Sequence, residues 1–182
     1  MKKIPNSFPI SIFDVDKNEE FVSDTITKKR CAIFYKGHNR NGGYITDDFA
    51  ETLVSTLAYT PVKGIFDTDD EDFKGHGKKN DEGRIYGVVP ADHNFAWEDY
   101  EDEDGVVRTY ACADVYLFTA LYEEAALIDG KSQSMELYQK TLDGYWGEAA
   151  GKYCFIYTKG CFLGLQALGD DVEPCFEGAS FF

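Results

Sequence analysis

The chain has 182 residues, which is enough for one domain with its own core. Hydrophobic residues make up 43% and aromatic residues 15%, a composition that favours a globular protein and excludes a disordered one. No run approaches the roughly 20 apolar residues of a membrane-spanning helix. The formal net charge of −15 also lacks the basic footprint that phosphate contacts require, so we expect neither membrane insertion nor direct binding of nucleic acid.

The negative charge is concentrated in two acidic runs, at residues 67–72 and 98–104. Together they hold 11 of the 33 acidic residues, and the rest of the chain is close to neutral. Solvated loops are the simplest interpretation of such runs.

The N-terminal segment, residues 1–30, is charged and alternates weakly, which predicts a strand with a mobile connection. Its start is similar to a signal peptide, but Pro5 and Pro9 interrupt the apolar stretch and no small-residue cleavage site follows. We therefore expect a cytoplasmic protein. The cysteines are odd in number and show no CxxC spacing, so reduced structural thiols are favoured over disulfides or zinc ligands: Cys31, Cys112, Cys154, Cys161 and Cys175.

The first half of the chain begins with a predicted buried strand at residues 31–36 and a turn at residues 39–43. A helix capped by Thr46 follows, and it ends before Pro61. Its apolar positions lie on one face: Phe49, Ala50, Leu53, Val54 and Leu57. Short strands are predicted at residues 61–66 and 84–89.

A hairpin is predicted next, formed by the segment around Trp97 and residues 106–118, with a turn ending at Asp104-Gly105. Residues 121–128 have helical spacing, and Gly130 can end that helix.

Residues 132–138 return to period two, which puts Ser134 and Glu136 on the same side of a strand. Two further apolar segments, residues 153–158 and 161–168, complete the pattern. These elements predict an α+β, mainly β fold: an antiparallel sheet or barrel with a few helices packed outside. We find no linker, so residues 1–182 are expected to form a single domain.

The candidate chemistry is a serine and a histidine. His76 lies between two glycines, which let backbone or substrate approach its ring closely. Ser134 lies where a helix gives way to a strand, and its hydroxyl would need a histidine base to become a nucleophile. An exposed loop histidine and a surface strand serine explain the same residues without any activity. His38 and His93 adjoin asparagine in turn-like segments and are weaker candidates.

Other reaction types find less support. The sequence contains no GxSxG elbow, no HExxH motif and no phosphate-binding GxxxxGK[ST] loop. The acidic run at residues 67–72 fails as a calcium loop, since Asp72 occupies the glycine position and Lys78 the glutamate position. We therefore predict no metal and no cofactor.

Several segments, taken in order, resemble a group of prohead proteases from phages of Gram-positive bacteria: NRNGGYITDDFAETLVSTLAYTPVKGIFD, DFKGHG, GRIYGVVP, TYACADVYLFTALYEEA, GKSQSMEL and LGDDVEPCFEGAS. The similarity runs from about Cys31 to the C-terminus. The broader clan includes the herpesvirus assemblins. The resemblance therefore implies an assemblin-like antiparallel β-barrel.

The resemblance also implies site residues. His76 matches the family's histidine ahead of a glycine-containing strand, and Ser134 matches the serine that opens a strand after a helix; Ser132 is the alternative nucleophile. Many relatives have an acid about thirty positions after the serine, where this chain has Cys161-Phe162-Leu163. The third catalytic residue stays open among Asp114, Glu136, Asp170 and a second histidine, and the oxyanion donors are unassigned.

The function implied is that of a serine endopeptidase that cleaves scaffold and capsid proteins during prohead maturation. Its partners would be the phage major capsid protein and a scaffold protein or region, met inside the immature prohead in the host cytoplasm. Assemblin relatives can require dimers, so a homo-oligomer is compatible with this interpretation. The alternative is a catalytically inactive capsid-assembly or scaffolding module with the same fold, since the downstream acid is missing.

Overall fold

The computed structural model describes residues 23–77, 83–101 and 105–182. Of these residues 49% are in strands and 9% in helices, so the fold is mainly β. The strands are numbered in chain order: β1 Thr27–Tyr35, β2 Gly37–His38, β3 Gly43–Ile45, β4 Pro61–Gly64, β5 Phe66–Asp67, β6 Asp72–Phe73, β7 Arg84–Val88, β8 Ala96–Glu101, β9 Val107–Leu117, β10 Gln133–Leu137, β11 Asp143–Ala149, β12 Lys152–Lys159, β13 Phe162–Ala167 and β14 Ser180–Phe181. One α-helix, α1, spans Asp47–Val54, and a 3-10 helix spans Glu123–Ile128.

The main sheet is a nearly closed barrel of eight strands. Its order is β10-β13-β4-β7-β9-β1-β14, with β8 paired to β9. The two ends approach each other where Ser132 forms a β-bridge with Ser180. The backbone N–H of Gln133 donates to the carbonyl of Ala179 at 2.9 Å, and that of Phe181 donates to Lys131 at 3.0 Å. Backbone hydrogen bonds therefore bring the last strand next to β10.

The barrel interior is filled by side chains from the two longest central strands. β1 and β9 pair antiparallel, with a bulge between Ala32 and Phe34. The ring of Phe34 packs edge-on against Trp97 and tilted against Phe176, at centroid distances of 5.8 and 6.1 Å. Such aromatic pairs fill a core with a defined geometry.

A second sheet has the order β11-β12-β3-β2 and lies against α1. The Phe49 ring of α1 stacks on Tyr157 of β12, with centroids 5.9 Å apart. Thr46 caps the helix, since its side-chain oxygen accepts from the N–H of Phe49 at 3.1 Å. The predicted cap and the predicted apolar face are thus confirmed, although Leu57 lies in the turn after the helix.

Several predicted elements are confirmed. The hairpin of β8 and β9 is present, and predicted strands appear as β1, β7 and β10. Residues 61–66 divide into β4 and β5. The turn residue Asp104 and most of the predicted N-terminal segment, residues 1–22, lie outside the described residues.

Other expectations are wrong in part. The sheets are not purely antiparallel, because β13 runs parallel to β4 and β12 runs parallel to β3. The second helix is a 3-10 helix of six residues with no side-chain cap at Tyr122, and Gly130 beyond its end has a φ of +81°. No helix in the described part of the chain has the length and apolar character needed to cross a membrane.

Candidate active site

Strand β10 places Ser134 and Glu136 on the outer face of the barrel wall. The neighbouring residue Gln133 points to the opposite, inner face, where its side-chain amide donates to the carbonyl of Ile33 at 2.5 Å. In the pairing with β13, Ser134 lies opposite Gln166 and Glu136 lies opposite Gly164. Side chains two positions apart share a face of a strand, so the predicted grouping of Ser134 with Glu136 is borne out by the pairing.

This outer face is polar but buried. Gln166 is 1% exposed and Ser134 is 5% exposed, and Lys63 of β4 continues the same row across β13. The Lys63 ammonium donates to Glu136 Oε2 at 2.7 Å. Both of these side chains are only 10% exposed. The wall therefore contains an ion pair with little access to water.

The β5–β6 hairpin packs against the core and leads to His76. Phe73, in β6, packs edge-on against Phe66 and Tyr86, with centroids 5.3 and 5.5 Å away. A Cβ atom on Gly169 would lie 1.8 Å from the Phe73 carbonyl oxygen, so glycine is required where the hairpin crosses the chain after β13.

Charged groups also stabilise this contact between the hairpin and the chain after β13. Asp72 Oδ2 accepts from the backbone N–H of Asp170 at 2.9 Å. The Lys131 ammonium lies 2.7 Å from both Asp72 Oδ1 and Asp170 Oδ1. Burial opposes ionisation of Asp72, but the hydrogen bonds from Lys131, Asp170 and Phe73 outweigh it and lower its pKa. Asp72 is thus a structural ion-pair member, contrary to the expectation of a wholly solvated acidic run.

The ring of His76 reaches the carboxylate of Glu136. Its Nδ1 lies 3.2 Å from Glu136 Oε1, and the side chain is 44% exposed. The preceding residue, Gly75, lies next to Val172. Four residues before Val172, the backbone N–H of Leu168 donates to the Ser132 carbonyl at 2.9 Å. The loop therefore passes Val172 and reaches Glu136, which lies two residues after Ser134 on β10.

Among the described side chains, His76 and Ser134 do not hydrogen-bond to each other. The structure brings His76 and Glu136 into contact, and Ser134 lies two residues from that contact on the same face.

The electrostatics define which ring nitrogen of His76 can act. Burial opposes ionisation of Glu136, but hydrogen bonds from His76 and Lys63, together with their charges, lower its pKa. An ionised Glu136 can only accept a hydrogen bond. It therefore favours the tautomer of the neutral His76 ring that has its hydrogen on Nδ1. Nε2 is then the ring atom able to accept a proton, which is the form a general base needs.

The other acids left open by the sequence have different partners. Asp114 binds Lys28 at 3.0 Å and Arg30 at 2.9 Å, and it accepts from Asn94. Asp170 binds Lys131. Glu136 is therefore the one of the three that contacts His76.

The other histidines are also engaged elsewhere. His38 Nε2 lies 2.9 Å from the carbonyl of Ala149, and the His93 ring packs edge-on against Phe95. Neither contact involves His76.

Ser132, the alternative nucleophile, takes part in the bridge that closes the barrel. It also lines an open groove of about 600 Å³ beside the site. The groove is predominantly acidic, with Arg40 as its basic side chain: Arg40, Glu101, Ser132, Asp170, Asp171, Glu173 and Glu177 are among its lining residues.

Lys63 was not identified by sequence reasoning. The available signal was a lysine within the otherwise apolar segment PVKGIF, since lysine is rarely buried unless its charge is paired. Its partner could not be inferred, because Lys63 and Glu136 are 73 positions apart in the chain and lie on strands that are separated by β13.

Within the described ranges, no group of three or more histidine, cysteine, aspartate or glutamate residues is arranged to hold a metal ion. No curated protein and no solved structure matches the chain. A family model described as the YonD N-terminal domain matches residues 25–182. That range contains the whole barrel, the β5–β6 hairpin and the residues Lys63, His76, Ser134 and Glu136. Since the match extends over most of the sequence, the chain belongs to the YonD N-terminal domain family.

Proposed function

We propose that this protein is a serine endopeptidase in which Ser134 is the nucleophile and His76 is its general base. The observation that supports it is the 3.2 Å contact between His76 Nδ1 and Glu136, whose strand presents Ser134 on the same face two residues away. A histidine oriented by a carboxylate at Nδ1, next to a serine hydroxyl, is the arrangement used for acyl transfer.

The reaction begins with proton transfer from the Ser134 hydroxyl to Nε2 of His76, as the oxygen attacks the carbonyl carbon of the scissile peptide. The protonated ring then donates its proton to the leaving amine, which leaves an acyl-enzyme. Water, activated by the same ring, hydrolyses that ester and restores the serine. His76 is half-exposed between Gly75 and Gly77, so bound substrate can bring its ring to the hydroxyl.

The biological substrates are proposed from the resemblance to phage prohead proteases. They are the scaffold and major capsid proteins, cleaved inside the immature prohead in the host cytoplasm. An assemblin-like barrel is proposed on the same basis. A nearly closed barrel that has the serine on one strand and the histidine in a loop before another is compatible with it.

A second function, that of an inactive assembly or scaffolding module, is favoured by one observation. Ser134 is 5% exposed and does not hydrogen-bond to His76, whereas a nucleophile must reach both its base and its substrate. Under this alternative the buried polar row has a structural role only, in which Glu136 holds the loop that carries His76.

Co-expression with the capsid and scaffold proteins separates the two functions. We expect processing with the native chain and none with Ser134→Ala, which removes only one oxygen atom. Ser132→Ala is the matched control and should keep processing intact. Continued cleavage by Ser134→Ala, or absence of labelling of the assembled native protein by a fluorophosphonate probe, would contradict the peptidase assignment.

A further inference from the structure

We propose that Lys63 and Glu136 form a positioning pair that sets the ring tautomer and orientation of His76. This inference rests on the proposed function for its consequence in catalysis. Its structural content, that Glu136 selects the protonated nitrogen of His76 and that Lys63 fixes Glu136, can be measured without any cleavage reaction.

The two oxygens of Glu136 have separate partners. Oε2 accepts from the Lys63 ammonium at 2.7 Å, and Oε1 faces His76 Nδ1 at 3.2 Å. With one oxygen anchored, the carboxylate cannot rotate away from the histidine without losing a buried charge-assisted hydrogen bond. Lys63 therefore determines where Glu136 points.

Lys63 also keeps Glu136 ionised. Burial alone would favour the neutral acid, and the hydrogen bonds and charges of His76 and Lys63 reverse that effect. A neutral carboxyl group could donate a proton to the ring instead of accepting one, which would favour hydrogen on the wrong nitrogen. Loss of the Lys63 charge should therefore weaken the selection of the tautomer.

The strand between Lys63 and Glu136 has a glycine at the point where the two side chains meet. Lys63 lies on β4 and Glu136 on β10, with β13 between them. The lysine stem crosses β13 at Gly164, where an added Cβ atom would lie 2.8 Å from Lys63 Cδ and 3.4 Å from Glu136 Oε2. A side chain at this position would displace the lysine, so glycine provides the path between the two strands.

A purely structural ion pair would have the same buried geometry, so the test must report on the ring. The full chain is prepared with ¹⁵N-labelled histidine, and the His76 signals are assigned by their loss in His76→Gln. Two variants are compared: Lys63→Met, and the double variant Lys63→Met with Glu136→Leu. The double variant replaces both charges by apolar groups, which leaves no buried unpaired charge and protects folding.

The native neutral ring is expected to have hydrogen mainly on Nδ1. The double variant should show the Nε2–H tautomer that predominates without a partner, and Lys63→Met should show a mixture. An unchanged tautomer in the double variant would overturn the role of Glu136, and native behaviour of Lys63→Met in every measurement would overturn that of Lys63.

The rate of Ser134 labelling by a fluorophosphonate is measured on the same samples as a function of pH. We expect a decrease of about 10-fold in Lys63→Met and about 10³-fold in the double variant, within the ~10⁴-fold cost of the wrong histidine tautomer in serine proteases. The acid limb of the Lys63→Met profile should move to higher pH, since Glu136 needs a higher pH to ionise without its cation.

The matched control is Lys159→Met, which removes one positive charge from an exposed side chain of β12. It should leave both the tautomer and the labelling rate unchanged. If the native chain is not labelled at all, the proposed peptidase function fails, while the tautomer measurement still decides whether Glu136 and Lys63 orient His76.

Discussion

The variant Gly169→Ala, which adds one methyl group, tests how closely the β5–β6 hairpin packs against the chain after β13. The added Cβ atom would lie 1.8 Å from the Phe73 carbonyl oxygen and 3.0 Å from Asp72 Oδ2, where ordinary contacts begin near 3.4 Å. The closest obstacle is backbone, which cannot rotate aside as a side chain can. The hairpin must therefore move by more than 1 Å or detach.

The magnitude follows from what such a movement breaks. Overpacking a tight contact costs about 1–3 kcal/mol. Asp72 also accepts from Asp170 and Lys131 across this crossing, and hydrogen bonds to a charged group contribute about 1.5–3 kcal/mol each. The hairpin can detach instead of staying in the strained position, so the two costs do not add in full. We therefore expect a decrease of about 3 kcal/mol in the free energy of unfolding, or about 6–12 °C in Tm for a chain of this size.

Urea unfolding, followed by circular dichroism, measures this loss. The matched control is Gly75→Ala, since a Cβ atom there would lie 3.4 Å from the Val172 methyl groups, an ordinary contact, and it should change stability by less than about 0.5 kcal/mol. The Gly169→Ala variant should also lose the histidine tautomer set by Glu136, because His76 follows the displaced hairpin. Equal stability of the two variants would refute the reasoning.

Two further predictions concern groups outside the site. Burial opposes ionisation of Asp114, but hydrogen bonds from Asn94, Lys28 and Arg30 lower its pKa, so its contribution to stability is present at neutral pH and lost as pH falls through the acidic range. The free energy of unfolding should therefore decrease below about pH 5, and less steeply in Arg30→Met. Burial raises the pKa of the Cys31 thiol and raises that of Cys112 to about 12. Both should resist a thiol reagent at pH 8 in the native protein and react after unfolding; rapid native labelling would contradict their burial.

Local patterns were sufficient to predict the elements whose signals lie within a few neighbouring residues. The helix α1 has a threonine cap and an apolar face at helical spacing, and the paired strands β8 and β9 lie on either side of an acidic run in the sequence. In both cases the residues that determine the element are close in sequence, so no tertiary information is needed.

The remaining elements depend on contacts between distant residues. The strand β11 contains Gly144 and Gly147, and it exposes Tyr145 and Trp146, so it has neither alternation nor a buried face. Its strand conformation follows from pairing with β12. The parallel pairs β4–β13 and β3–β12 likewise join segments far apart in the chain, and nothing in either segment specifies its partner.

The candidate site divides in the same way. Period two in β10 was enough to put Ser134 and Glu136 on one face, because that relation is local. The contact of Glu136 with His76 depends on the position of the β5–β6 hairpin. That position depends in turn on the close approach of Gly169 to the Phe73 carbonyl. The sequence therefore leaves Glu136 as one of three candidate acids, because the contact that distinguishes it joins residues far apart in the chain.

The buried row of Ser134, Gln166 and Lys63 is itself an argument for function. A buried barrel wall could be filled with apolar side chains, and replacing a buried ion pair by such residues often leaves stability equal or higher. Here the wall keeps an ammonium and a carboxylate out of water and leaves space at Gly164 for the lysine stem. Residues that oppose local expectations in this way are found where a fold supports chemistry, since stability alone does not require them. The same reasoning predicts that the double variant, with Lys63→Met and Glu136→Leu, will be at least as stable as the native chain while losing the orientation of His76.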